Sequence, residues 1–406
     1  MLMTDNPLAE AEQLDLVKWR RDLHRHPELG FEEHRTAGVV SRHLEENGFE
    51  VTTGIAETGV VGLLRGSGPG PVVMLRFDMD ALPITEENTH DFVSQNPGVM
   101  HACGHDGHVA IGMGVASLLA RWRDRLTGTV KMVFQPAEEG LGGAVRMIEA
   151  GVLDDPRPDV ALGLHILSTE PSGLVLAGDG PVMAAADRFR IVVRGRGGHG
   201  AMPHQTVDAA VAAAQMVTAL QTIVSRSVDP SDVAVVSVGT IRAGTGANII
   251  ADTAEMTGTI RTFDEATRSV VLDRLREVVE GTAQAMRATA DLTTDEIAVA
   301  VVNDSDAAAL VRDSAIRIVG AEMVSPEQRL MASEDMSYFL RRVPGCFFFI
   351  GGARTRDEHT HHHPKFDFDE AVLTQGVAIL CETVAGYLAF DDVSPVSGPP
   401  DSRPTT

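Results

Sequence analysis

The chain has 406 residues, 44% of them apolar and 22% charged, which is ordinary globular composition and length enough for two domains of usual size. Asp and Glu number 57 against 34 Lys and Arg, and the formal charge of −23 repels phosphate backbones and anionic headgroups, which weighs against nucleic-acid and membrane partners. The longest strongly apolar stretch, Val109 to Ala120, falls short of the roughly 20 residues of a membrane span, and the acidic N-terminus lacks an apolar secretory core, so the expectation is a soluble, cytoplasmic protein.

Three cysteines are too few for a disulfide scaffold and fit a reducing compartment. Cys346 in the run CFFFI and Cys381 in VAILCETVAGYL read as small core hydrophobes. Cys103 differs, because His101, His105, Asp106 and His108 surround it.

Leu16, Trp19 and Leu23 fall at helical spacing, as do Ala37, Val40 and Leu44, with Gly48 as a stop. The runs at 72–77, 129–134 and 160–166 read as buried strands, separated by helical segments near 106–121 and 142–150. That alternation predicts an α/β catalytic domain with a mostly parallel central sheet flanked by helices. From about residue 186 the order becomes strand, Ala-rich helix, two strands, helix, strand, the ferredoxin-like α+β pattern. The chain then returns to a helix near 305–319, the strand CFFFIG and a helix at 369–389. The expected division is 1–185 with 300–390 as one discontinuous domain, 186–299 as an inserted one, and a Pro/Ser-rich disordered tail at 391–406.

Chemistry concentrates where strands of the first domain end, the usual ligand-binding edge of an open α/β sheet. MHACGHDGH packs a thiol, three imidazoles and a carboxylate directly before a helix, QPAEEG carries two adjacent glutamates, GLHI places His165 in an apolar strand, and THHHP supplies three consecutive histidines. Each has a plain reading alone: a strand His is usually a hydrogen-bonded core residue, and paired carboxylates usually face solvent. Together, Cys and His with carboxylates suit zinc, manganese or cobalt better than calcium or magnesium.

The ordered motifs LHRHPELGFEEHRT, RFDMDALPITE, MHACGHDGH, VFQPAEEGLGGAVRMIEAG, GRGGHGAMPH, GANIIADTAEMTGTIRTF, SEDMSYFL and HHHPKFDFDE closely resemble the aminoacylase and carboxypeptidase-like family of two-metal hydrolases, in its branch of hippurate hydrolases and auxin-conjugate amidohydrolases. The resemblance implies two divalent ions (zinc, manganese, cobalt or nickel) held by Cys103, His105, Glu139, His165 and His362, with Cys103 as a bridging thiolate. His362 is selected over His361 and His363 because the family's ligand lies two residues before the Pro. It further implies Asp80 as the acid orienting a ligand imidazole and Glu138 as general base. His199 and Asn248 are implied near the oxyanion, and the inserted domain as a lid and dimerisation domain giving a homodimer or homotetramer. Arg261 is a candidate for a substrate carboxylate or, equally, for a surface ion pair. The expected activity is hydrolysis of small N-acyl-amino acids. A dipeptidase, an N-acetyldiaminopimelate deacetylase and a silent metal-binding homologue are the alternatives. The inserted domain is expected to close over substrate about hinges near residues 185 and 300.

Overall fold

The computed structural model describes residues 6–355 and 359–388; the expected tail at 391–406 lies outside them. The described chain forms two compact units. One takes the chain up to Gly180, Val302–Gln328 and the residues from Asp335 on, and the other takes Pro181–Val301 with Arg329–Glu334.

The first unit is built on an eight-stranded sheet. Four parallel neighbours form its centre, in the order Thr129–Gln135, Val72–Asp78, Val160–Pro171 and Gly345–Ala353. The antiparallel strands Glu50–Ile55 and Gly59–Arg65 extend one side, and the short Val175–Leu176 and Val324–Ser325 the other. The central strands are buried almost throughout, which is why they read as continuous apolar runs and not as alternating ones.

Helices His105–Arg121, Ser305–Val319 and Ala371–Leu388 pack against this sheet, the last of them against both others. His105–Arg121 is buried on every side up to Leu119, the pattern of a helix inside a core. Close packing demands Gly107 there, since a Cβ would fall 2.6 Å from Phe368 Cζ. Ala371–Leu388 has the length and hydropathy of a membrane span, yet 72% of that window is buried within the protein, so core packing accounts for its apolarity.

The second unit has four antiparallel strands in the order Ala234–Ala243, Thr253–Thr262, Ala185–Arg194 and Thr289–Ala298. Period-two alternation turns Phe189, Ile191 and Val193 inward and Arg190 and Arg194 outward. The inward residues join a core with Ala212, Met216 and Leu220 of helix Ala209–Ser227 and Val271, Leu275 and Val279 of helix Glu265–Ala285. Asp208 and Asp264 cap the starts of these helices through side-chain hydrogen bonds. Arg329–Glu334 joins this unit because Leu330 N donates to Val182 O at 2.9 Å and Leu330 O accepts from Ala184 N at 3.0 Å.

Candidate metal centre

Local constraints in the first unit shape the segments that follow its parallel strands. Gly104, with φ +88°, caps the helix that begins at His105, a conformation glycine adopts without a Cβ penalty. Glu138 and Glu139 lie on the turn after strand Thr129–Gln135, entered through Ala137 at φ +54°. The Ala137 amide donates to Glu33 Oε1 at 2.9 Å. His362 also has left-handed backbone, φ +65°, and its amide donates to Ala102 O at 2.8 Å. Such backbone costs a non-glycine residue about 1–2 kcal/mol, so long-range bonds, not local preference, hold both turns.

Cys103 Sγ lies 3.4 Å from His165 Nε2, and His362 Nε2 lies 3.2 Å from Glu139 Oε1. Three overlapping sets of donor atoms each fall within 4.8 Å: Cys103, His105 and His165; Cys103, Glu139 and His362; His105, Glu138 and Glu139. Cys103 belongs to two of the three. Of the consecutive histidines, His361 Nε2 meets Ile166 O at 2.8 Å and His363 Nδ1 accepts from Lys365 N at 3.0 Å, while His362 faces Glu139.

Asp80 ties two of these side chains together. One of its oxygens lies 3.2 Å from His105 Nδ1, which also meets Asp80 O at 2.9 Å, and the other accepts from Glu139 N at 3.0 Å. With Nδ1 engaged, His105 Nε2 is buried without a hydrogen-bond partner among the described residues, while Glu139 Oε1 meets His362 Nε2 at 3.2 Å. An unmet buried polar atom such as His105 Nε2 costs about 1–3 kcal/mol, and a cation contacting it removes that cost. The thiol, imidazole and carboxylate donors therefore fit a divalent ion of the zinc type.

Burial disfavours charge on His105, yet Asp78 and Asp80 push its pKa up to about 10. Burial drives His165 far below the ordinary imidazole range, and burial with nearby Glu139 and Glu138 raises the Cys103 thiol. A divalent ion reverses the last effect by stabilising the thiolate.

Sequence reasoning missed the buried network that connects to these residues. Arg76 donates to Gln135 Oε1 at 2.8 Å, Asp78 Oδ2 at 2.7 Å and Asp335 Oδ1 at 2.8 Å. Asp78 Oδ1 holds His108 Nδ1 at 2.7 Å, and the Asp335 amide donates to Glu138 Oε1 at 3.4 Å. The available signal was a charged residue inside an apolar strand run, VVMLRF, because a charge buried there requires partners.

The second unit brings His199 and Asn248 together. Strand Gly198–His199 pairs with Ile249–Ile250, Gly200 N donates to Asn248 O at 2.8 Å, and His199 Nδ1 accepts from Ala201 N at 3.0 Å. Arg261 Nη1 donates to Ile260 O at 2.9 Å, burial lowers its pKa, and it has no ion-pair partner among the described residues.

A parallel-centred sheet, an inserted α+β unit and a thiol–imidazole–carboxylate centre together define a metallohydrolase. The chain belongs to peptidase family M20/M25/M40, whose description residues 74–386 match. It is 41% identical over 381 residues to thermostable carboxypeptidase 1 of Saccharolobus solfataricus, spanning 91% of this chain and 94% of that one. It is 42% identical over 349 residues to the N-acyl-L-amino acid amidohydrolase of Geobacillus stearothermophilus, spanning 84% and 94%. The crystal structure of the YXEP protein of Bacillus subtilis, a dinuclear metal binding peptidase from the M20 family, superposes with a TM-score of 0.82 at 36% identity, covering 94% of this chain and 99% of that one. The protein is a metallo-amidohydrolase of this family.

Proposed function

We propose that the protein hydrolyses the amide bond of N-acyl-amino acids, releasing a carboxylic acid and a free amino acid. The observation that carries this reading is the overlap of three donor sets on Cys103, His105, Glu138, Glu139, His165 and His362. In it, Cys103, His105, Glu139, His165 and His362 would hold two divalent ions. When bound, such ions lower the pKa of water and polarise a carbonyl. Asp80 fixes the His105 ring and the Glu139 amide at once. Glu138 takes a proton from the attacking water and returns it to the leaving amine, so no protein nucleophile is required. The Asp335 amide, donating to its carboxylate, helps orient it.

In the second unit, His199 and Asn248 are assigned to the developing oxyanion and Arg261 to the α-carboxylate, a role suited to a guanidinium without an ion-pair partner among the described residues. A homo-oligomer through that unit is supported by its edge strand Ala234–Ala243, where Val235 and Ile241 are exposed. The free Cys103, Cys346 and Cys381 support a reducing compartment.

The test is turnover of the metal-loaded, full-length chain on a panel of acetyl-, benzoyl- and indoleacetyl-amino acids. Dipeptides and N-acetyldiaminopimelate are included, since one relative is named a carboxypeptidase. Chelator-reversible cleavage of acyl-amino acids is expected. Cleavage of peptides alone transfers the assignment to a dipeptidase, and no cleavage by protein with full metal content points to a silent homologue.

A further inference from the structure

A second group of donors lies in the first unit on residues that the thiol centre does not use. His24 sits on helix Leu16–Arg25, and Glu86 and His90 lie in the loop leading to Phe92. His24 Nε2 is 3.2 Å from Glu86 Oε1, His90 Nε2 is 3.4 Å from the same oxygen, and the three donor atoms lie within 4.8 Å of one another. We infer that His24, Glu86 and His90 form a further divalent-cation site, structural in role and zinc-like in chemistry.

The first argument is distance. A charge-assisted N–H to carboxylate hydrogen bond closes to about 2.7–2.9 Å, and both contacts here are longer. His90 Nδ1 is sealed from solvent without a hydrogen-bond partner among the described residues, and the buried Nε2 has the long contact to Glu86. Tetrahedral zinc with bonds of about 2.0–2.1 Å separates neighbouring donors by about 3.3–3.4 Å, close to both contacts.

Orientation is the second. His24 Nδ1 lies 2.8 Å from Asp106 Oδ2, a carboxylate–imidazole pair that leaves Nε2 for Glu86 and an ion. Glu86 is fixed in turn by Ser94 N at 2.6 Å and Asn88 Nδ2 at 3.0 Å, and the His90 ring stacks on Phe92 with centroids 3.6 Å apart. His24 and Glu86 thus have the preset second layer that a metal ligand requires, and the His90 ring is held by its stack.

Charge is the third. Asp106, Asp367 and Glu370 converge on the buried Arg20, with Arg21 also pairing Glu370 and Arg354 also pairing Asp367, and Glu86 adds a fourth carboxylate through His24. Either a proton on His24 or a cation between His24, Glu86 and His90 supplies more positive charge. Only the cation also replaces the long Glu86 contact of His90 Nε2 with a bond. It would pin the Leu16–Arg25 helix to the 86–92 loop and, through Asp106, to the first turn of the helix that starts at His105.

The inference does not rest on the activity proposed above. The full-length chain is stripped by chelator, reloaded with Zn²⁺ alone, desalted and analysed for zinc per chain. His90→Phe keeps the aromatic stack and removes both ring nitrogens, so it should hold one zinc fewer than wild type with turnover unchanged, and Glu86→Gln should lose the same equivalent. Crystals measured at the zinc edge should show a peak between the three side chains that His90→Phe lacks. Equal zinc content in wild type and His90→Phe, with no such peak, overturns the site. Cys103→Ser, measured in parallel, reports on the thiol centre separately.

Discussion

In the first unit Asp78, Asp80, His105 and His165 are almost wholly buried, and each is held by an identified neighbour, whereas in the second unit His199 and Asn248 are exposed and joined through a backbone ladder. Burying ionisable groups is costly unless they are paired, so the first unit invests in a fixed arrangement before any ligand arrives. That suits metal chemistry, where donor geometry must be set to within tenths of an ångström. Exposed side chains on a short two-stranded ladder cost little to keep, and under the proposed function their geometry would be completed when substrate binds. The contrast implies that variants in the first unit change metal content or the chemical step, while variants in the second change catalysis with the metal intact.

The largest expected effect separates two adjacent residues. Glu138→Gln should keep both metals and bind substrate while kcat falls by about 10²–10⁴, the worth of a positioned general base. Glu139→Gln should instead lose metal. Metal content and kcat measured on the same preparations decide this: metal lost from Glu138→Gln and kept by Glu139→Gln reverses the two roles, and full activity in both removes them from the site.

In the second unit, His199→Ala should lower kcat by about 10²–10³, the range for deleting one oxyanion donor, with metal content unchanged. A variant with unchanged kcat leaves His199 as a surface residue of its ladder. Next in size is Asp80→Asn, which weakens the hold on both the His105 ring and the Glu139 amide. Metal affinity is expected to drop about 10–100-fold, read by competition with a chromogenic chelator. Wild-type affinity in that variant would make Asp80 a turn residue without influence on the centre.

How far the sequence already carried this contrast differs between the units. Motifs such as MHACGHDGH and QPAEEG announce a metal centre because several ligand types crowd into a few residues beside a turn. The second unit's fold was equally legible from its strand–helix order. Three features were not. The side-chain directions of His361, His362 and His363 follow from the φ of +65° at His362 and its bond to Ala102, and local spacing encodes neither. The strand from Val160 runs on through Ser168, Thr169 and Glu170 to Pro171, beyond its apolar run, because Pro171 pairs with Ala353 of a distant strand. Arg329–Glu334 has no periodicity, and its hydrogen bonds to Val182 and Ala184 assign it to the second unit. In each case the deciding partner lies far along the chain.

The smallest effect tests whether burial of titratable groups in the first unit also governs its response to pH. His43, on helix His34–Glu46, places Nε2 2.9 Å from Met113 O and 3.0 Å from Ser117 Oγ, and its ring meets Trp19 edge-on at 4.9 Å. Burial lowers its pKa below the ordinary imidazole value of 6.5, and the bond to Met113 O only partly opposes that. Just below pH 6.5 the unfolded chain therefore binds a proton at this position that the folded chain resists. Because stability rises with pH wherever the unfolded state holds more protons, the His43 contribution must fall as pH drops from about 6.5 toward the folded-state value, and be flat above it. His43→Gln keeps a donor for Met113 O and cannot titrate. Denaturant midpoints measured at about pH 7 and pH 5 should show a larger loss for wild type than for His43→Gln, with turnover and metal content at pH 7 unchanged. The second unit contributes little to the difference, since shifted carboxylates there, such as Asp229 and Glu255, stay in contact with solvent. Parallel losses in the two proteins would show that burial of His43 does not bear on the pH response.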